Sequence, residues 1–170
     1  MAGYGLPNEQ HLSVVLQNYL SLEGHNIEVI NGSVSGSTTA GGLNIAEWTL
    51  SENNIDLMIL CLGANDMLRG INPKETKNNL IEIIKIAKSK NIKVIIAGMI
   101  APTSHGSNYK KSFDKIFEDL SNEYELQLIP FLLEGVAQKP EFNLSDGMHP
   151  NDKGTIIIGK TLKEAILKNL

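Results

Sequence analysis

An α/β fold with a mostly parallel sheet is what these 170 residues predict, on three observations. Apolar runs of strand length, at 27–31, 56–62 and 92–97, take turns with segments whose apolar residues recur at helical spacing. The run Leu57-Met58-Ile59-Leu60-Cys61-Leu62 does not alternate with polar residues, the pattern of a strand covered on both faces. No repeat, low-complexity tract or linker breaks the alternation, so one domain spanning 1–170 with helices on both sheet faces is expected.

The elements follow in order. Residues 8–22 read as a helix capped by Asn8, with Leu12, Val15, Leu16 and Tyr19 on one face. Residues 27–31 read as a strand, a helix over 43–50 carries Trp48, and the buried strand 56–62 follows. Asn72-Pro73-Lys74-Glu75 supplies a cap, a proline for the first turn and an acid placed for a capping box. The helix it opens turns Leu80, Ile83, Ile84 and Ala87 inward. Strand 92–97, helix 108–123 and strand 126–129 come next, and Ile158, Leu162, Ala165 and Ile166 give the closing helix its apolar face.

Length and composition suit one enzyme-sized domain, because about 100 to 200 residues make a domain with a real core. Cys61 is the single cysteine, so no internal disulfide can form, and on its strand it reads as a small apolar residue. A net charge of −4, with lysines spread over helix surfaces, argues against a nucleic-acid partner. No run reaches the roughly 20 apolar residues of a membrane span. His11, His25, His105 and His149 have no metal-ligand spacing and no cysteine partner, so neither a metal nor another cofactor is expected.

Three motifs carry chemistry. In Asp146-Gly147-Met148-His149-Pro150, an acid three residues before a histidine can accept from Nδ1 and leave Nε2 to take a proton from a serine. Alone, the same spacing also suits an Asx-type turn before the last helix. Gly63-Ala64-Asn65-Asp66 follows the buried strand, at the carboxyl end where open α/β sheets keep their sites. The Asn65 amide there can donate to a developing oxyanion, although Gly, Asn and Asp are also turn formers. The stretch 31–42, rich in Gly and Ser, lets backbone approach a ligand, and an exposed Gly36 N–H could be a second oxyanion donor. It lacks the spacing and lysine of a phosphate loop.

In this order the motifs resemble the SGNH hydrolases, also called GDSL-type esterases, and within them the bacterial arylesterase, thioesterase and lysophospholipase branch. The resemblance runs through Ala2-Gly3-Tyr4-Gly5-Leu6-Pro7, Gly63–Gly70, Ala97-Gly98-Met99-Ile100-Ala101-Pro102, Ile129-Pro130-Phe131 and the Asp146–Pro150 motif. It implies His149 as base, Asp146 as the orienting acid, and Gly36 and Asn65 as oxyanion donors. It also implies a flavodoxin-like three-layer α/β/α sandwich with strand order 2-1-3-4-5. The family's Gly-Asp-Ser-Leu motif stands just before a Thr-Ala-Gly-Tyr-Gly-Leu-Pro segment, and Met1 takes the place of that Thr. The nucleophile serine and its strand, the first of the sheet, are therefore expected to be missing from this chain. Because the other site residues all match, truncation is expected rather than natural loss.

Ser33, Ser35, Ser37, Ser104 and Ser107 have no nucleophile elbow around them. The chain as written is thus expected to be a nearly inactive form of a carboxylic ester or thioester hydrolase. The alternative is a non-catalytic protein that keeps an acyl-binding cleft. Met67, Leu68, Arg69, Ile100 and Pro102 are the candidate substrate-binding residues, forming a mostly apolar rim that suits an acyl or aryl ester. His105 reads as a surface residue, and a monomer acting on a small-molecule acyl ester is expected. Members of the resembled family are often periplasmic, and no signal peptide is visible.

Overall fold

The computed structural model describes residues 2–51 and 54–170. It divides into two compact units, one built from residues up to Ser35 with Leu132–Leu170, the other from Gly36–Phe131.

The second unit holds the sheet. Strands β1 (Leu57–Leu60), β2 (Lys93–Ala97) and β3 (Gln127–Ile129) pair in parallel in the order β1-β2-β3. Leu57 stands opposite Lys93, and Ile95 opposite Gln127. Four helices accompany them: α2 (Thr39–Thr49), the short α3 (Ala64–Leu68), α4 (Pro73–Ser89) and α5 (Ser107–Tyr124). Leu80, Ile83, Ile84 and Ala87 of α4 are buried as their spacing requires, and so are Phe113, Ile116, Phe117 and Leu120 of α5. Helices α4 and α5 both pack on β2, whose Val94, Ile95, Ile96 and Ala97 are all buried. Asn72 caps α4 by accepting from the Lys74 N–H at 3.0 Å, with Pro73 in the first turn.

The first unit pairs two helices, α1 (Leu12–Leu22) and α6 (Asp152–Leu167). Leu12, Leu16 and Leu20 of α1 are buried, as are Ile158, Leu162, Ala165 and Ile166 of α6. Asn151 caps α6, accepting from the Gly154 N–H at 3.0 Å.

The α/β class and the parallel sheet are as expected, and several elements differ. Residues 27–31 form no strand. Among the described residues they have no ladder partner, and the Gln17 side-chain amide takes the place of one. It donates to the Ile27 carbonyl (2.9 Å) and accepts from the Val29 N–H (2.8 Å). The sheet accordingly has three strands among the described residues, in the order expected for the last three of the five.

Asn8 does not cap α1. It opens a separate 3-10 turn, Asn8–Gln10, and His11, in extended backbone, is the residue before α1. Helix α2 starts four residues earlier than its apolar pattern suggests, because the Thr38 hydroxyl caps it by accepting from the Gly41 N–H at 3.2 Å. The end of the small-residue stretch is therefore helical, and Trp48 on that helix is 78% exposed. Strand β1 is not buried on both faces: only Leu60 is buried, and Leu57, Met58 and Ile59 are half-buried. Among the described residues the strand has a hydrogen-bonded neighbour on one side only. Cys61, just past its end, is half-buried, and burial pushes its thiol pKa up, away from the reactive thiolate.

Candidate active site

The Asp146 motif sits at the tip of a loop whose base is fixed by two asparagines. Asn143, buried, donates to the carbonyls of Val136 and Lys139, both at 2.8 Å. Asn151 donates to the carbonyls of Glu141 and Asn143 while capping α6. Across the loop the Leu144 N–H donates to the His149 carbonyl at 2.7 Å.

At the tip Asp146 accepts from the backbone N–H of Met148 (2.9 Å) and of His149 (3.0 Å) through Oδ1. Its Oδ2 accepts from His149 Nδ1 at 2.7 Å. The Asx-type turn and the Asp146–His149 contact therefore occur together, the turn placing the carboxylate against Nδ1. Those hydrogen bonds, first the His149 N–H, then its ring, then the Met148 N–H, lower the Asp146 pKa to about 2. Asp146 is a carboxylate throughout the neutral range, and with Nδ1 engaged the open position on the ring is Nε2. The side chains of His149 and Asp146 remain 43% and 37% exposed.

In the sheet unit, α3 begins directly after β1 and holds the loop that leads into α2. The Asn65 side-chain N–H donates to the Ser37 carbonyl at 3.1 Å, which sets the amide plane and leaves its second N–H for a ligand. Arg69, just past α3, donates to the Gly36 carbonyl at 3.0 Å. Asp66, fully buried, accepts from the Thr39 N–H (2.8 Å), the Thr39 hydroxyl (2.5 Å) and the Thr76 hydroxyl (3.2 Å). Asn79 of α4 donates to the Thr39 hydroxyl oxygen at 3.1 Å and completes the network. Three residues of one short segment therefore grip Gly36, Ser37 and Thr39. Gly36 has φ +73° and is exposed, in backbone that a side chain would strain.

The substrate-rim candidates divide. Leu68 and Ile100 are 44% and 45% exposed apolar side chains, Pro102 is exposed and Met67 is half-buried. Arg69 is engaged with the Gly36 loop. His105 packs beside Gly70 and against Tyr109, whose hydroxyl donates to the Ile71 carbonyl, so its contacts are with the 70–71 turn. Sequence reasoning named Asp66 within its motif without a role and missed Thr39, Thr76 and Asn79. No local spacing links these residues, so only the fold reveals them. Among the described residues no three His, Cys, Asp or Glu side chains gather so as to hold a metal ion, and no helix is long and apolar enough to cross a membrane.

Residues 1–155 match the GDSL-like Lipase/Acylhydrolase family. The chain is 36% identical over 169 residues to an arylesterase of Vibrio mimicus, covering 99% of this chain and 84% of the relative. It is 33% identical over 123 residues to thioesterase 1/protease 1/lysophospholipase L1 of Escherichia coli K12, covering 72% of this chain and 59% of that protein. Among solved structures it is similar to the psychrotrophic esterase EstA from Pseudoalteromonas sp., with TM-score 0.93 and 30% identity over 98% of this chain and 91% of the other.

Proposed function

Because the chain belongs to the GDSL-like lipase/acylhydrolase family, we propose that it carries the base, the orienting acid and the oxyanion donors of a serine ester or thioester hydrolase. The observation that carries the reading is the Asp146–His149 pair, with Nδ1 donating at 2.7 Å to a carboxylate already fixed by two backbone N–H groups. A histidine held this way has one tautomer favoured and one nitrogen, Nε2, open to a nucleophile.

In the proposed reaction Nε2 of His149 takes the proton of a serine hydroxyl as its oxygen attacks the acyl carbonyl. The carbonyl oxygen becomes an oxyanion that accepts from the Gly36 N–H and the Asn65 amide. Collapse breaks the bond to the alcohol or thiol, which receives the proton from His149 and leaves an acyl-serine. Water then attacks with His149 again as base, releasing the carboxylic acid and restoring the serine. Exposed Leu68 and Ile100 suit an apolar acyl or aryl group, so the substrate class is a small acyl ester or thioester.

None of the 170 residues stands in a Gly-Asp-Ser-Leu setting. On this reading the chain by itself is slower than a serine-bearing form by on the order of 10⁶ in turnover. The test is hydrolysis of p-nitrophenyl acetate, butyrate and octanoate by this chain and by a version extended upstream through its natural reading frame. Turnover in the extended form only, lost in His149→Ala, is the expected result. Octanoate binding with no turnover in either form would replace the hydrolase with a non-catalytic acyl binder.

A further inference from the structure

We infer that Tyr4 is a positioning residue for His149, its ring forming a wall that holds the imidazole in the plane where Nδ1 meets Asp146. The inference rests on His149 acting as the base, but its geometry is independent of that chemistry. The Tyr4 and His149 ring centroids lie 4.4 Å apart with planes tilted 35° from each other, a contact at the close end of the roughly 4.5–7 Å typical of aromatic pairs. Asp146 holds one edge of the imidazole through Nδ1, and Tyr4 lies against its face. Two titratable groups contact the His149 ring, the Asp146 carboxylate and the Tyr4 phenol ring.

The placement of Tyr4 is built rather than incidental. Gly3 and Gly5 flank it with φ of +72° and +71°. A Cβ on Gly3 would stand 2.1 Å from the His11 ring, and one on Gly5 would stand 2.8 Å from a Leu144 methyl. The turn is closed by the Leu6 N–H donating to the Gly3 carbonyl (3.0 Å), and His11 Nε2 lies 3.1 Å from the Leu6 carbonyl. Leu144, which Gly5 touches, is hydrogen-bonded through its own N–H to the His149 carbonyl. The Gly-Tyr-Gly turn is therefore seated on the residue that pairs with His149 across the loop, which places the ring between the two glycines against the imidazole. Tyr4 is still 58% exposed, so its ring is not there to fill a core.

A wall on one face restricts rotation about the His149 side-chain bonds. It also presents the negative face of a ring to the imidazolium that forms when Nε2 takes a proton. Both effects act through His149, not on a substrate.

The test is NMR of the 170-residue chain and needs no turnover, so it can fail while the hydrolase reading stands, and the reverse. Side-chain signals of His149 are compared in the native chain, Tyr4→Phe and Tyr4→Leu at one fixed alkaline pH. In the native chain the His149 ring protons are expected upfield, shifted by the Tyr4 ring, with the hydrogen on Nδ1. Tyr4→Phe retains both features. Tyr4→Leu loses the upfield shift, and the minor tautomer with hydrogen on Nε2 grows roughly two- to tenfold, the size expected for one aromatic pair. Gly5→Ala, which leaves Tyr4 intact but strains its turn, is expected to behave like Tyr4→Leu. Identical ring-proton shifts and tautomer populations in the native chain and Tyr4→Leu, with the Leu144 amide signal unchanged to show that the loop is folded, would overturn the inference.

Discussion

Asp66 and Asp146 each accept three hydrogen bonds, and each stands within three residues of a proposed catalytic group, yet their partners come from different distances. Asp66 is fully buried, and its donors are Thr39 and Thr76, 27 and 10 residues away on other helices. Asp146 is exposed, and its donors, Met148 and His149, lie within the next three residues of its own turn. The first carboxylate joins α2, α3 and α4 and so fixes the loop carrying Gly36. The second organises nothing beyond its own loop, and what it orients is a single imidazole. Oxyanion donors must be fixed before charge develops, which asks for a rigid frame. A base that exchanges protons with a substrate and with water is better placed at the surface, where local bonds suffice to aim it.

The comparison breaks most visibly at the buried acid. Asp66→Ala is expected to lower stability by about 3 kcal/mol, since it leaves a buried N–H and two buried hydroxyls without their acceptor. Asp146→Ala is expected to leave the urea midpoint nearly where it was, because its donors can turn to water. Urea titrations of the two variants side by side decide this. Equal midpoints would mean that Asp66 is not the frame described. Next in size is Asn65→Ala, which separates function from frame inside the sheet unit. In a serine-bearing form it is expected to lose roughly 10²- to 10³-fold in kcat, the usual effect of removing one oxyanion donor. Its urea midpoint should move far less than that of Asp66→Ala, and a collapse of the fold would instead place Asn65 in the frame.

The same difference in distance explains what could be read without coordinates. Asp146 and His149 were legible because every bond that makes them a pair lies within three residues, so the motif contains its own structure. The helix faces of α4 and α6 were legible for the same reason, as a period of three to four residues reports burial. The Asp66 network was not, because Thr39, Thr76 and Asn79 are polar residues on helices and nothing in their spacing points to one carboxylate. Residues 27–31 misled because strand propensity describes a side-chain environment, while a strand also needs a neighbour. There a glutamine amide meets the backbone groups instead. The early start of α2 was hidden by Gly41 and Gly42, poor helix residues made helical by the Thr38 cap and by Asp66 at the helix N-terminus.

The smallest effect is the sharpest probe of the local side of the comparison. Asp146 has its pKa lowered from 3.8 to about 2 by its bonds to the His149 N–H, the His149 ring and the Met148 N–H. A lowered carboxylate pKa means the folded loop prefers the ionised form. Its contribution is present above the unfolded value and is lost as pH falls from about 4 through about 2. The Met148 and His149 amide signals should therefore titrate together with a midpoint near pH 2. Should those two amides instead move near pH 4, at the ordinary carboxylate value, the three short bonds to Asp146 would not be holding in solution. His149 would then lack a fixed tautomer, and the acid–base pair would have to be assembled by substrate rather than by the sequence of its own turn.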